Sequence, residues 1–201
     1  MTADFFEGMY ARAGGDDAAV PWQHAMSRPL IADWLESYSP AGHRRAIVVA
    51  AGLGDDAASL AALGLEVVAF DVSPTAIEWA RSRHPDADVD WRVANLLAPP
   101  AAWTGAFDLV IEVFTIQSIE PAHQPEAAQA IRSFVAPGGT LVAIAMVHDG
   151  TLTPDGPPWP IHPTTVGVVA AGLDEVGRRT VDLDGHVSCV VVELVDAGTI
   201  A

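Results

Sequence analysis

Ala46–Ala50 (AIVVA) is an unbroken apolar run, and it narrows the folds open to this chain more than any other segment. A strand wetted on one face alternates apolar and polar residues. A strand with no polar position is covered on both faces, as in a parallel sheet held between helices. Further strands are read at Glu66–Phe70 (EVVAF), Val89–Val93, Phe107–Val113 (FDLVIEV) and Thr140–Val147 (TLVAIAMV). Helical segments lie between them: Asp56–Leu63 closed by Gly64, Ser73–Arg83 opened by the cap pair Ser73-Pro74, and Glu126–Val135. Pro137-Gly138-Gly139 reads as the turn into the fifth strand.

Upstream, Phe5–Arg12 and Arg28–Tyr38 read as helices, the second with Leu30, Ile31, Trp34 and Leu35 at helical spacing. Downstream, a Pro-rich connection from Pro154 to Pro163 leads to a helix at Thr164–Leu173. Two strands follow, Gly177–Leu183 and His186–Val195, around the hairpin signal Asp184-Gly185. The expectation is an α/β fold with a doubly wound, Rossmann-like, mostly parallel sheet and a terminal antiparallel hairpin. With 201 residues, no repeat and no long linker, a single domain spanning 1–201 is expected, 1–40 a helical lid and 41–201 the core.

Charge narrows the partners. Twenty-six acidic residues face 10 basic ones, all Arg, for a formal charge of -16. Such a surface repels phosphate backbones and anionic lipid, so neither nucleic acid nor membrane is expected as a partner. No stretch approaches the ~20 apolar residues of a membrane span, and Met1–Tyr10 has no leader-like character, so a cytoplasmic location is expected. Cys189 is the only cysteine, which excludes an internal disulfide, and it reads as a core residue. The seven His residues show no ligand spacing, so no metal is expected.

The chemistry-bearing residues gather after the first strand, in AIVVAAGLGDDAASLAALGLEVVAFDVSP. Small residues at the turn (Ala50, Ala51, Gly52, Gly54) let a ligand approach backbone closely, and the next helix offers free N–H groups. Asp71 ends the neighbouring strand, where a carboxylate takes both hydroxyls of a ribose. Strand, turn, helix, strand and Asp together describe an adenosine-cofactor site. Asp55 and Asp56 follow Gly54 and would repel a pyrophosphate, whereas the sulfonium and ammonium of S-adenosylmethionine suit them. The alternative is that the pair only supplies charge to a helix's first turn.

At these residues the chain resembles the class I S-adenosylmethionine-dependent methyltransferases, and among them the thiopurine and thiol methyltransferase-like group. VVAAGLGDDA resembles the glycine-rich first motif, VVAFDVSPTAIEWAR the second strand with its ribose-binding Asp71, and VANLLAPP the third motif. FDLVIEVFTIQSI resembles the fourth, and VAPGGTL the turn before the fifth strand. Tyr10 and VPWQHAMSRPLIADWL resemble the segment that lids the cofactor. The resemblance implies a cofactor site at Ala50, Gly52, Gly54, Asp56, Asp71, Val72, Ser73, Asn95 and Leu96, with Glu112, Gln117 and Trp22 closing it. Val48 and Ala50 stand where that family has an acid and a Gly, and Asn95 where it has Asp. An amide at Asn95 can still pair with adenine; alternatively it is a turn residue.

For the methyl acceptor the sequence offers Glu112 at the end of the fourth strand, and His24 and His148 as bases. Glu112 reads equally as a buried structural carboxylate. Trp22 and Trp159 are placed to close over an apolar acceptor. No base is conspicuous, and a thiol, with a pKa of about 8.5, needs little help. The implied activity is therefore methylation of a small molecule, a thiol in particular. A silent fold that binds S-adenosylmethionine or another metabolite is one alternative. A nicotinamide-dependent oxidoreductase is the other, poorly suited by a chain that has no Lys.

Overall fold

The computed structural model describes residues 3–23, 27–40, 42–151, 157–183 and 185–198. Seven strands form one sheet: β1 (Arg45–Val49), β2 (Glu66–Asp71), β3 (Val89–Val93), β4 (Phe107–Val113), β5 (Val135–His148), β6 (Asp174–Asp182) and β7 (Val187–Val195). Their order is β3-β2-β1-β4-β5-β7-β6. β7 runs antiparallel to both its neighbours, and the first five strands pair in parallel. This is the doubly wound sheet with a terminal antiparallel hairpin that the sequence leads one to expect.

Burial explains the apolar runs. Along β1, Ala46 and Val48 pack beneath one helical layer, and Ile47 and Val49 beneath the other. The first layer holds α2 (Ser27–Ser37), α3 (Asp55–Ala62) and α4 (Pro74–Arg83), through Ile31, Leu60 and Ile77. The second holds α5 (Gln124–Ser133) and α6 (Pro163–Val169), through Ile131 and Val169. Cys189 is buried in β7. α2 therefore belongs to the sheet's helical layer, whereas α1 (Ala3–Ala13) sits against α4 above the strand ends.

Two elements differ from expectation. Pro137-Gly138-Gly139 lies inside β5, where Val135 pairs with Phe107 and Thr140 with Leu109. The five-residue step against two on β4 is a bulge, and a Cβ on Gly139 would lie 2.9 Å from the Phe107 carbonyl. α6 stops at Val169, short of Leu173, because Gly172 takes a left-handed φ of +76 and the chain turns into β6. Among the described residues, no helix is long and apolar enough to cross a membrane, and no cluster of three or more His, Cys, Asp or Glu could hold a metal.

Candidate active site

A cavity of about 780 Å³ opens above the C-terminal ends of β1, β2, β4 and β5. Ligands of open parallel sheets bind at this edge, where the crossovers to the two faces diverge. Just past β1, Ala50 is a non-glycine residue held at φ +47, and Gly52 follows at φ +54. A Cβ on Gly52 would lie 3.0 Å from the Tyr10 hydroxyl, so glycine lets α1 close down on the turn. Tyr10 in turn accepts a hydrogen bond from Trp22 Nε1 at 2.8 Å, and Trp22 lines the cavity.

Asp71 is the buried acid of the site. Its Oδ2 accepts from Gly52 N at 3.0 Å and its Oδ1 from Ser73 N at 2.9 Å, which lock the two turns together. Burial pushes the carboxyl up to about 6, against the downward pull of the Ser73 and Gly52 amides. The Val72 amide adds to that pull, and the carboxylate's remaining acceptor capacity is open to hydroxyl donors from the cavity. Beside it, Ser73 caps α4 by accepting from Ala76 N at 3.0 Å and donates to Glu7 Oε2 at 2.6 Å. Thr75 N donates to the same Glu7 oxygen at 3.2 Å. These bonds, the Ser73 hydroxyl first, hold Glu7 below the usual carboxylate range and fasten α1 to the start of α4.

The paired aspartates separate. Asp56 lines the cavity. Asp55 turns away and accepts from Gln23 Nε2 at 2.6 Å and Arg83 Nε at 3.1 Å. Ala50, Gly52, Asp71, Val72, Asn95 and Leu96 also line the cavity, as does Gln117. Asn95 does so with its Oδ1 already accepting from Leu97 N at 3.0 Å, so the turn reading of this residue is realised at the cavity wall. The residues that sequence reasoning passed over are chiefly apolar: Phe6, Met9, Phe114, Ile119 and Met146. Apolar side chains scattered between α1 and β5 carry no local signal.

Several expected site residues lie elsewhere. Gly54 is absent from the cavity wall; a Cβ there would fall 2.4 Å from Trp91 Cη2, so this glycine serves the packing of α3 on β3. Ser73 is fully buried behind Asp71. Trp159 does not line the cavity, though its neighbour Pro158 does. His148 is buried away from the cavity, its ring edge-on to His162 and its Nδ1 accepting from Gly150 N at 3.1 Å. His24 lies outside the described residues.

Glu112 also misses the cavity. Its side chain points under the second helical layer, among Ile116, Ala143 and Val190. Oε1 accepts from Thr115 N at 2.7 Å and Ile116 N at 3.2 Å, while Oε2 is buried with no partner among the described residues. Burial pushes this carboxyl up to about 7, opposed by those two amides. A folded value above the unfolded one means its contribution to stability is complete below about pH 4.5. That contribution is lost as the pH rises through about 7. The full effect is on the order of 3 kcal/mol. Glu112→Gln stays neutral, so its melting temperature relative to wild type is expected to climb between pH 5 and pH 8. A pH-independent difference in melting scans would mean that the folded Glu112 carboxyl titrates where it does in the unfolded chain.

The cavity, a glycine turn with a buried acid on the adjoining strand, and the sheet order define a Rossmann-like nucleoside-cofactor domain of the methyltransferase type. Residues 47–139 match the family described as a methyltransferase domain. Thiocyanate methyltransferase 1 of Brassica oleracea is 27% identical over 84% of this chain and 73% of its own length. Probable thiol methyltransferase 2 of Arabidopsis thaliana is 30% identical over 71% of this chain and 63% of its own length. Among solved structures, the N-methyltransferase NodS from Bradyrhizobium japonicum WM9 in complex with S-adenosyl-L-homocysteine superposes with a TM-score of 0.73. It is 18% identical, covering 94% of this chain and 97% of that one. By this domain and these likenesses the chain is an S-adenosylmethionine-dependent methyltransferase of small molecules.

Proposed function

We propose that the protein transfers the methyl group of S-adenosylmethionine to the sulfur of a small, uncharged, largely apolar thiol. The observation that carries this is the character of the cavity. Its charged acids are Asp56, Asp71 and Glu120, and no Lys or Arg stands among the described residues lining it. An acidic cavity of this kind favours a sulfonium and disfavours an anionic acceptor. Phe114, Ile119 and Met146 give the acceptor end an apolar wall. The thiol and thiocyanate relatives point to sulfur as the acceptor atom, and the wall's charge favours the thiol over the anion.

The cofactor fits the residues present. Asp71 has the burial and the spare lone pairs to take two ribose hydroxyls, and Gly52 leaves the space beside it open. Asp56 adds negative charge. When bound, the cofactor supplies an electrophilic methyl carbon. What the chain contributes is alignment and exclusion of water: the turn at Gly52 fixes one end, the apolar wall the other, and Tyr10 with Trp22 covers the top. Of the bases named from sequence, Glu112 and His148 lie outside the cavity wall and His24 outside the described residues, while His123 lines the cavity; a thiol needs little help from any of them.

A panel at pH 7.5 of benzenethiol, an alkyl thiol, thiocyanate, phenol and a primary amine tests this. The expected result is S-methyl product from the alkyl thiol, neutral at this pH, at least tenfold faster than from thiocyanate, and none from phenol or the amine. A preference for phenol or the amine would overturn the assignment to sulfur. A preference for thiocyanate would overturn the charge argument alone.

A further inference from the structure

Gln117 is the one carboxamide at the cavity's acceptor end whose orientation is fixed by the chain. It follows β4 in a short 3-10 turn at Ile116–Ser118 and is 2% exposed. Its Oε1 accepts from Met146 N at 2.6 Å, and its own carbonyl accepts from Trp159 N at 2.7 Å. A backbone N–H needs an acceptor, so the oxygen of the carboxamide faces Met146 and the NH2 faces away from it. Nε2 has no protein partner among the described residues, and it is not sealed in the core. Gln117 lines the cavity, so the two N–H donors have the cavity as their outlet.

Position separates this group from the cofactor's adenosine. Gln117 is anchored to β5, whereas Asp71 ends β2, and β1 and β4 lie between them. Three strand intervals put these anchor points about 14 Å apart. Met146 and Ile119 lie close by in the lining with the polar Ser118, Glu120 and His123, and Gln117 is the amide donor there whose direction Met146 fixes. A nearly buried donor left unpaired is met by a ligand that brings a lone pair; one that brings none leaves it desolvated and unmatched.

From this we infer that Gln117 is a specificity-determining residue: its carboxamide NH2 donates to a lone pair at the acceptor's nucleophilic atom. The inference rests on the reading above that the β5 end of the cavity receives the acceptor. For a thiol, an N–H pointed at sulfur favours the thiolate, which orients the nucleophile and lowers the pH at which it forms. The thiol proton would leave to solvent, the bond formed would join the acceptor sulfur to the methyl carbon, and the electron pair of the bond broken would remain on the donor's sulfur, giving S-adenosylhomocysteine.

Gln117→Glu keeps an oxygen for Met146 N and removes the donors; Gln117→Met removes both. For both variants the expected result is a KM for benzenethiol raised about tenfold or more. Dissociation constants for S-adenosylhomocysteine, read by calorimetry, should stay within about threefold of wild type. In Gln117→Glu the rising limb of kcat/KM against pH moves to higher pH, a change that lost packing would not produce. An unchanged KM in Gln117→Glu overturns the inference, and so does a parallel loss of S-adenosylhomocysteine affinity, which would place Gln117 on the cofactor. If wild type methylates a phenol or an amine instead, the thiol reading fails. The same KM comparison with that acceptor still decides the role of Gln117. Without turnover, calorimetry of benzenethiol into the S-adenosylhomocysteine complex gives the comparison, and no binding by wild type counts against the inference.

Discussion

Replacing Asp71 with alanine is expected to weaken S-adenosylhomocysteine binding by about a hundredfold or more, the largest effect of any single substitution in the cavity. Two hydroxyl donors to a carboxylate contribute roughly 1.5–3 kcal/mol each, and the variant forfeits both. It also leaves Gly52 N and Ser73 N, now 3.0 Å and 2.9 Å from Asp71 oxygens, without their acceptor inside the protein. Calorimetric titration reads the affinity, and melting without ligand reads the structural share. Asp71→Asn, which keeps one acceptor oxygen, should be less destabilised while still losing most of the affinity. Because burial raises the Asp71 carboxyl to about 6, wild-type affinity should itself fall as the pH drops through 6. Protonation removes the charged acceptor. An Asp71→Ala protein that binds within threefold of wild type would mean that the nucleoside is held elsewhere in the cavity.

Gly54→Ala should cost stability rather than contact with the cofactor. The added Cβ would meet Trp91 Cη2 at 2.4 Å and Ala80 Cβ at 3.0 Å, in a backbone at φ +83 that L residues rarely adopt. Overpacking of a filled core and a left-handed φ each cost about 1–3 kcal/mol. Together they predict a loss of about 3 kcal/mol or more, equivalent to a melting temperature lower by about 10 °C for a chain of this size. Trp91 fluorescence and a denaturant titration measure it. Saturating cofactor should restore part of the loss by mass action, since the Gly52 and Asp71 side of the turn is untouched. A variant as stable as wild type but unable to bind S-adenosylhomocysteine would reassign Gly54 to the cofactor. The same glycine motif thus divides its work, Gly52 making room for what lies above the sheet and Gly54 for what lies beneath it.

That division marks where sequence reading stops. Gly52 and Gly54 are indistinguishable as letters in one turn, and only the placement of Tyr10 above and Trp91 below separates them. Asp55 and Asp56 are likewise equivalent until the helix turns one toward Arg83 and the other toward the cavity. Glu112 sits at the expected strand end, but side chains alternate across a strand, and the register with Ala143 sends it beneath the sheet. His148 ends β5 and is drawn into contact with His162 instead of the site. Gln117 gains its fixed donor from Met146, 29 residues away along the chain.

The α/β alternation, the buried parallel strands, the closing hairpin and the acid ending β2 are all legible in the order of the amino acids. Each of these is written in short-range patterns: unbroken apolar runs, caps, a glycine turn and a carboxylate one strand on. Only the tertiary structure decided which of those polar groups share one cavity. Directions of side chains at strand ends depend on register and on what packs against them, and contacts between distant segments leave no periodic trace in the chain.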